Sequence, residues 1–347
     1  VRAAVLHGWR QDLRVEEMPE PACPADGVVM RLLACGVCRS DWHAWTGADS
    51  DVALPHVCGH EYCGTVEEIG REVRGFAVGD RVIAPFILAC GRCADCRAGN
   101  QTICATQAVP GFTCAGAFAE RIAVPHADAN LAHLPEGMDP ALAAALGCRV
   151  TTAWQALTGR AALAPGEWLA VHGTGGVGIS AVLLGRALGA RVVAVDVVAE
   201  KREQAHALGA DAVVNAAEGD AAEAIREVTG GGAHVSVEAL GIPQTTTASI
   251  RCLRKLGRHV QVGMPAGEHT TMALPMDAVY SGQLALYGTR GMPGWRYPSL
   301  LALIEGGHVD LSPIVARRVR LSDATAELKL FDAPAPPGIA VITDFAA

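Results

Sequence analysis

Aromatic residues are scarce in this sequence, at 5% of 347 residues. No uninterrupted apolar run approaches the ~20 residues that a membrane-spanning helix requires, so no membrane partner is expected. No block of like charge marks a disordered tail, and no segment repeats or falls into low complexity. The opening stretch, VRAAVLHGWRQDLRVEE, lacks a basic segment followed by a long apolar one, so no secretory signal is expected. Positive charge is in deficit, with 28 Lys and Arg against 36 Asp and Glu and a net charge of −8. That balance argues against nucleic acid as the main partner.

What the chain does have is apolar bulk (50%), 39 glycines and 12 cysteines. Its length exceeds what one hydrophobic core usually covers, so two domains are expected. Twelve cysteines without an export signal read as reduced thiols and metal ligands, not as a disulfide framework, which places the protein in the cytoplasm.

Four of those cysteines crowd into CGRCADCRAGNQTIC, where Cys90, Cys93, Cys96 and Cys104 follow the pattern C-x2-C-x2-C-x7-C. Gly91, Gly99 and Asn100 supply turns that let four sulfurs converge without a helix or strand to present them. A bacterial iron–sulfur motif has a last gap of three and a following proline, whereas here the gap is seven and Ala105 follows. Four soft thiolates closing a tetrahedron suit a structural zinc ion.

The first ~145 residues carry short apolar runs broken by turn signals (VVMRLLACG, GTVEEIG, GDRVIAPFI, FAERIAVP), the texture of a β-rich, barrel-like domain. DPALAAALGCRVTTAWQAL then reads as helical segments near a domain junction. From about residue 167 short strands alternate with helices: EWLAVHG, RVVAVD, DAVVNA, AHVSVEAL and GRHVQVGMP are the strands. This alternation predicts a parallel sheet wound on both faces. Past about residue 290 the alternation is lost, and APAPPG reads as a proline-stiffened turn.

Gly173, Gly175 and Gly178 form G-x-G-x-x-G between the first of these strands and its helix, with Gly176 and Val177 completing the loop. The first glycine permits a tight turn, the second lets backbone approach a pyrophosphate, and the third lets helix and strand pack closely. The helix N-terminus supplies N–H donors and dipole to the anion. Asp196 closes the next strand, where a carboxylate accepts from a ribose 2′-OH and repels a 2′-phosphate, so NAD is favoured over NADP. The alternative is a strand-end aspartate capping the next helix. Lys201 is a candidate for the adenosine ribose, with a plain surface lysine as the alternative.

CGVCRSDWHAW at 35–45 and CGHEYCG at 58–64 hold further metal-ligand types, and Cys148 sits alone among alanines. Taken singly, each is as well read as a core residue. Taken together, the motifs resemble the zinc-dependent medium-chain alcohol dehydrogenases, the family of the liver and yeast enzymes, over nearly the whole chain. GVCRSDWH resembles the family's first catalytic-zinc motif, and GHEYCGTVEEIG followed by Val73 its GHE signature. The four-cysteine lobe, Cys148 and the glycine loop follow in the family's order.

The resemblance implies an α/β fold: a β-rich GroES-like catalytic domain over 1–149 and 289–347, and a Rossmann doubly wound parallel-sheet domain over 150–288. It implies NAD and two zinc ions per chain. Cys38, His60 and Cys148 would hold the catalytic ion, with a fourth position open as catalytic zinc requires. Glu61 would lie close to that ion, and Asp41 would orient the ligating histidine. Ser40 and His43 match the proton relay, although spacing alone also admits His43 as a ligand. Arg39 falls near the cofactor pyrophosphate, Thr152 and Val262 join the cofactor site, and Trp45 and Phe86 match positions that line the substrate pocket, with plain core aromatics as the alternative.

The implied reaction is reversible oxidation of a small-molecule alcohol to an aldehyde or ketone, with hydride transfer to NAD. Alternatives are a polyol, threonine or glutathione-adduct dehydrogenase of the same superfamily, or a catalytically silent zinc- and NAD-binding protein. A homotetramer is implied, with a dimer as the alternative.

Overall fold

The computed structural model describes residues 1–333 and 338–346, so residues 334–337, the heart of the expected APAPPG turn, lie outside the described residues. The chain divides into two compact units. One comprises Val1–Thr151, Gly291–Gly306 and Ser312–Ala347, and the other comprises Thr152–Arg290 and Gly307–Leu311.

The first unit begins with β1 (Arg2–Leu6), β2 (Arg14–Glu17), β3 (Val28–Val37), β4 (His56–Val57), β5 (Glu61–Ile69), β6 (Arg81–Ile83), β7 (Arg121–Val124) and β8 (Ala132–His133). The second unit contains β9 (Trp168–His172), β10 (Arg191–Asp196), β11 (Ala212–Asn215), β12 (Ala233–Glu238), β13 (Leu253–Gln261) and β14 (Ala285–Gly288). The tail then returns to the first unit with β15 (Val315–Arg320) and β16 (Ile339–Asp344). The alternation lost past residue 290 is therefore replaced by strand pairing in a different sheet.

In the first unit β2-β1-β4 form a small sheet, and β15-β16-β3-β5-β6-β8 form a larger one in which β7 also pairs β3. The central β3, VVMRLLACGV, is buried along nearly its whole length, as its apolar and β-branched composition requires. Its antiparallel register with β5 sets Gly36 opposite Glu61. Consequently the end of β3, which leads into Cys38, meets the start of β5, which His60 precedes. The expected β-rich domain is present.

In the second unit the strands are parallel and ordered β11-β10-β9-β12-β13-β14. Counted within the unit this is 3-2-1-4-5-6, the Rossmann order, in which the order of the strands reverses between β9 and β12 while all of them run parallel. WLAVH in β9 is buried at every position, as expected for the centre of a sheet covered on both faces.

A polar group is sealed inside this sheet. His172 Nε2 lies 3.6 Å from Cys252 Sγ, and His259 Nδ1 lies 3.0 Å from Ser249 Oγ and 3.3 Å from Ser236 Oγ. Burial pushes His172 down to about 3 and His259 down to about 4. Both imidazoles are thus neutral in the folded sheet, while in the unfolded chain they take up protons below about pH 6.5. The unfolded state then binds more protons, so this contribution is complete above pH 6.5 and is lost as pH falls towards 4 and then 3. By pH 5 the loss is on the order of 2 kcal/mol for each imidazole. Melting temperature measured from pH 7.5 to 5 is expected to fall, and His172→Gln is expected to flatten that slope.

Candidate active site

Two groups of metal-binding side chains stand out in the first unit, one formed by Cys90, Cys93, Cys96 and Cys104, the other by Cys38, His60, Glu61 and Cys148. In each, the donor atoms lie within 4.8 Å of one another.

The four-cysteine lobe is built from turns. Gly91 and Gly99 adopt left-handed φ of 71° and 86°, and a short helix, Ala94–Arg97, presents Cys96. Asn130 fixes the lobe's entry: its Oδ1 accepts from Ala89 N at 2.8 Å and its Nδ2 donates to Ala89 O at 2.9 Å. Cys93 Sγ lies 3.4 Å from Cys96 Sγ and 4.0 Å from Cys104 Sγ, and Cys90 Sγ lies 4.0 Å from Cys96 Sγ. A tetrahedron with Zn–S bonds of ~2.3 Å has edges of about 3.8 Å, so these sulfurs stand at zinc-ligating separations. The backbone N–H groups of Arg92 and Cys93 hold the Cys90 thiol down to about 5, whereas burial pushes Cys96 up to about 12. All twelve cysteines are free.

The second group is organised by Asp41, which is fully buried. Cys38 caps the Arg39–Thr46 helix, and Asp41 Oδ2 accepts from Cys38 N at 2.8 Å. Asp41 Oδ1 meets His60 Nδ1 at 2.9 Å and accepts from Gly59 N at 3.0 Å. One carboxylate therefore fixes both Cys38 and His60, and it turns the imidazole so that Nε2 is free to ligate. His60 Nε2 is buried without any hydrogen-bond partner. A buried nitrogen among two sulfurs and a carboxylate, itself unpartnered, is the donor arrangement a cation satisfies.

Cys148 reaches this group from an irregular helix. After Pro140–Ala145 the backbone widens into π-helical turns at Leu146–Val150 and again at Gln155–Arg160. Such bulges in helices mark functional sites, and here one carries the third donor. The hydrogen bond between the two sulfurs and the Arg149 guanidinium hold the Cys38 thiol well below its ordinary range.

Glu61 is wholly buried, and neither carboxylate oxygen has a hydrogen-bond partner. Burial pushes it up to about 8, against the pull of Arg149, whose Nε lies 3.3 Å from Glu61 Oε1. Arg149 is itself buried and also donates to Val37 O. Space for Glu61 is made by glycines: a Cβ on Gly36 would overlap Glu61 Oε2, and one on Gly147 would come within 2.9 Å of its Cα.

Ser40 Oγ lies 3.8 Å from Cys38 Sγ. His43 Nδ1 is buried without a partner, and burial together with Arg39 pushes this imidazole below its ordinary pKa. Arg39 is exposed, its guanidinium 5.5 Å from the Trp42 ring and 5.4 Å from the Phe331 ring. Phe86 stands edge-on to the His60 ring at 5.8 Å, and so does Phe112 at 5.3 Å. Trp45 differs from the pocket position expected of it. It is a core residue, 2% exposed, and its Nε1 donates to Gln11 O at 2.6 Å. Phe112, Arg149, Gly36 and Gly147 were not among the sequence candidates; the one local signal was a basic residue directly after Cys148.

In the second unit Gly173 takes φ of 85° between β9 and the Gly176–Ala187 helix, which Gly175 caps and Val177 helps to open. A Cβ on Gly178 would overlap the carbonyl oxygen of Gly173, whereas a Cβ on Gly175 would meet open space. Asp196 Oδ2 accepts from Thr174 N at 2.9 Å and Thr174 Oγ1 at 3.0 Å, and Oδ1 accepts from Val198 N at 3.0 Å. The selector expected at this position thus also ties the glycine loop to the next turn. Lys201 lies in the Ala199–Ala207 helix, Thr152 is buried in Thr151–Trp154, and Val262, just past β13, donates its N–H to Glu238 O at 2.9 Å.

A doubly wound sheet with a dinucleotide-type glycine loop, carried by the same chain as a buried Cys2His donor set and a tetrathiolate lobe, defines a metal-dependent oxidoreductase. Residues 24–136 match the alcohol dehydrogenase GroES-like domain family and residues 176–306 the zinc-binding dehydrogenase family. An alcohol dehydrogenase of Geobacillus stearothermophilus is 38% identical over 288 residues, 81% of this chain and 82% of that protein. An L-threonine 3-dehydrogenase of Streptomyces coelicolor is 31% identical over an alignment of 356 positions, gaps included, covering 100% of both. The solved structure of an NAD-dependent alcohol dehydrogenase superposes with a TM-score of 0.90 at 31% identity, over 99% of this chain and 100% of that one. The chain belongs to the zinc-dependent medium-chain alcohol dehydrogenases. Its two donor sets fit that family's metal: a closed tetrathiolate and a Cys2His set, the forms taken by structural and catalytic zinc.

Proposed function

We propose that this enzyme oxidises alcohols to aldehydes or ketones, reversibly, with NAD as hydride acceptor. The first unit is the catalytic domain and the second the NAD-binding domain. The observation that carries this reading is the unpartnered, buried Nε2 of His60, turned by Asp41 towards Cys38 and Cys148. Those three residues hold the catalytic zinc, and Cys90, Cys93, Cys96 and Cys104 hold the structural one.

When bound, zinc supplies Lewis acidity that makes a substrate hydroxyl acidic near neutral pH, and NAD supplies the hydride acceptor. The protein's own residues do the rest. Asp41 keeps His60 in the ligating tautomer. Ser40 takes the hydroxyl proton and His43 passes it on; His43 suits this because burial and Arg39 keep it neutral and ready to accept. Glu61 stands beside the ligands as a carboxylate that can exchange into the set, restrained by Arg149. Phe86 and Phe112 give the site apolar walls, which favours an apolar alcohol.

On the cofactor side Gly173–Gly178 receives the pyrophosphate, with Arg39, Thr152 and Val262 as further contacts and Lys201 near the adenosine ribose. Asp196 selects NAD. Asp196→Ala is expected to weaken NAD binding and relax discrimination against NADP, read as the ratio of kcat/KM for the two cofactors; an unchanged ratio would assign selection to another residue.

The second reading is a threonine-type dehydrogenase, favoured by the full-length similarity to the Streptomyces coelicolor enzyme. One experiment separates the two. Zinc-loaded protein is given NAD or NADP with a panel of aliphatic and aromatic alcohols, polyols and L-threonine, and reduced nicotinamide is followed by absorbance. Turnover of simple alcohols with NAD is expected. Turnover of L-threonine alone supports the second reading, and no turnover with zinc bound supports a silent protein.

No helix among the described residues is long and apolar enough to cross a membrane. The twelve free cysteines support a cytoplasmic setting. The family resemblance supports a homotetramer over a dimer, which light scattering decides.

A further inference from the structure

The buried groups of the second unit include one carboxylate that the reaction does not use. Glu238 is the last residue of β12 and is completely buried. Four donors converge on it. Leu240 N donates to Oε1 at 2.9 Å, Gly241 N is shared between Oε1 at 3.0 Å and Oε2 at 2.9 Å, Thr245 Oγ1 donates to Oε1 at 2.6 Å, and Gln261 Nε2 donates to Oε2. Each partner is a donor, which is what an acceptor-only carboxylate requires and an amide could not fully match.

Its position in the topology gives these bonds a consequence. β12 begins the second mononucleotide half of the sheet, directly across the strand-order reversal from β9. The Glu238 side chain ties the loop leaving β12 to Gln261 at the end of β13, and its backbone carbonyl accepts from Val262 N at 2.9 Å and Gly263 N at 2.8 Å. The two loops touch backbone to backbone. A Cβ on Gly241 would overlap Met264 O, and one on Gly263 would overlap Gly241 N and come within 2.6 Å of Glu238 Oε2. The Leu240 side chain in turn packs where a Cβ on Gly173 would be, 2.6 Å from Leu240 Cγ. A single carboxylate therefore sets the carboxyl-end rim of β12 and β13 and leans it against the glycine loop.

We infer that Glu238 is the positioning residue for the nicotinamide half of the dinucleotide site, holding the 240–241 and 262–264 loops in the shape that receives it. This deepens the functional reading above and rests on it. The adenosine half depends on separate residues, Gly173–Gly178 and Asp196, at β9 and β10. Loss of the Glu238 carboxylate should therefore separate binding of the whole dinucleotide from binding of its adenylate half.

The test titrates NAD and AMP separately into zinc-loaded wild-type, Glu238→Gln and Thr245→Val protein by calorimetry, with melting temperature recorded alongside. Glu238→Gln is expected to raise the Kd for NAD about tenfold, the scale of one lost charge-assisted bond, while the Kd for AMP stays within about twofold. Thr245→Val, which removes one of the four donors, is expected to shift NAD about threefold in the same direction, again without moving AMP. If Glu238→Gln does not fold, Thr245→Val decides alone. Equal weakening of NAD and AMP, or no change in either, overturns the inference while leaving the functional reading in place. Wild-type protein that bound neither ligand would remove the functional reading, and this inference with it.

Discussion

Cys148→Ala is expected to abolish alcohol turnover and to lower zinc content from two ions per chain to one. The donor set has two sulfurs and one imidazole, and Cys148 contributes the sulfur that comes from the helical segment following the β-strands. Removing it leaves Cys38 and His60, too few ligands for a four-coordinate ion. Glu61 is near enough to substitute, but Arg149 Nε lies 3.3 Å from its Oε1, so the exchange would strip a buried arginine of its side-chain partner. The loss in kcat/KM should exceed about a hundredfold, the upper end for deleting a partner that only orients a ligand. Plasma emission spectroscopy on the purified variant reads zinc directly. The tetrathiolate lobe shares no residue with this set, so its ion should remain; two ions retained with activity intact would remove Cys148 from the ligands.

The second large effect lies in the glycine loop, where two neighbouring substitutions should fail in different ways. Gly178→Ala places a Cβ against the carbonyl oxygen of Gly173, backbone against backbone, with no flexible side chain to yield. Helix and strand must separate, at a cost of about 3 kcal/mol or more, and both melting temperature and NAD affinity should fall. Gly175→Ala meets open space, and its φ of −70° and ψ of −165° are accessible to any residue. That variant should melt like the wild type yet bind NAD at least about tenfold more weakly, if the open space a Gly175 Cβ would enter is where the pyrophosphate is received, as proposed above. Equal melting losses in the two variants would contradict the division of roles.

The contrast shows where sequence was informative. The glycine loop and the tetrathiolate are local: spacing along the chain sets which atoms meet, so they were readable before any fold was known. Cys38, His60 and Cys148, each a plain core residue when taken singly, were instead picked out by the family resemblance. The alternation of strands and helices from 167 to 288 was readable for the same reason. Other features depend on packing between distant segments. The clearance that Gly36 and Gly147 provide for Glu61 follows from β3 pairing with β5 and from a π-helical turn that Ala- and Leu-rich sequence does not announce. The Arg149–Glu61 pair joins residues 88 apart. Trp45 shares a helix with the relay candidates, but its indole N–H is claimed by Gln11, so it turns to the core, and Phe112 stands beside His60 with Phe86. Asp196 was legible as a candidate for cofactor selection, while its bonds to Thr174 and Val198 were not.

The most direct measurement is an anomalous difference map at the zinc absorption edge from crystals of the zinc-loaded protein. Two peaks are expected per chain, one enclosed by the sulfurs of Cys90, Cys93, Cys96 and Cys104, the other bounded by Cys38 Sγ, His60 Nε2 and Cys148 Sγ with one coordination position left to solvent. A map with no peak between Cys38, His60 and Cys148 would contradict the account, as would a peak there closed by a fourth protein ligand.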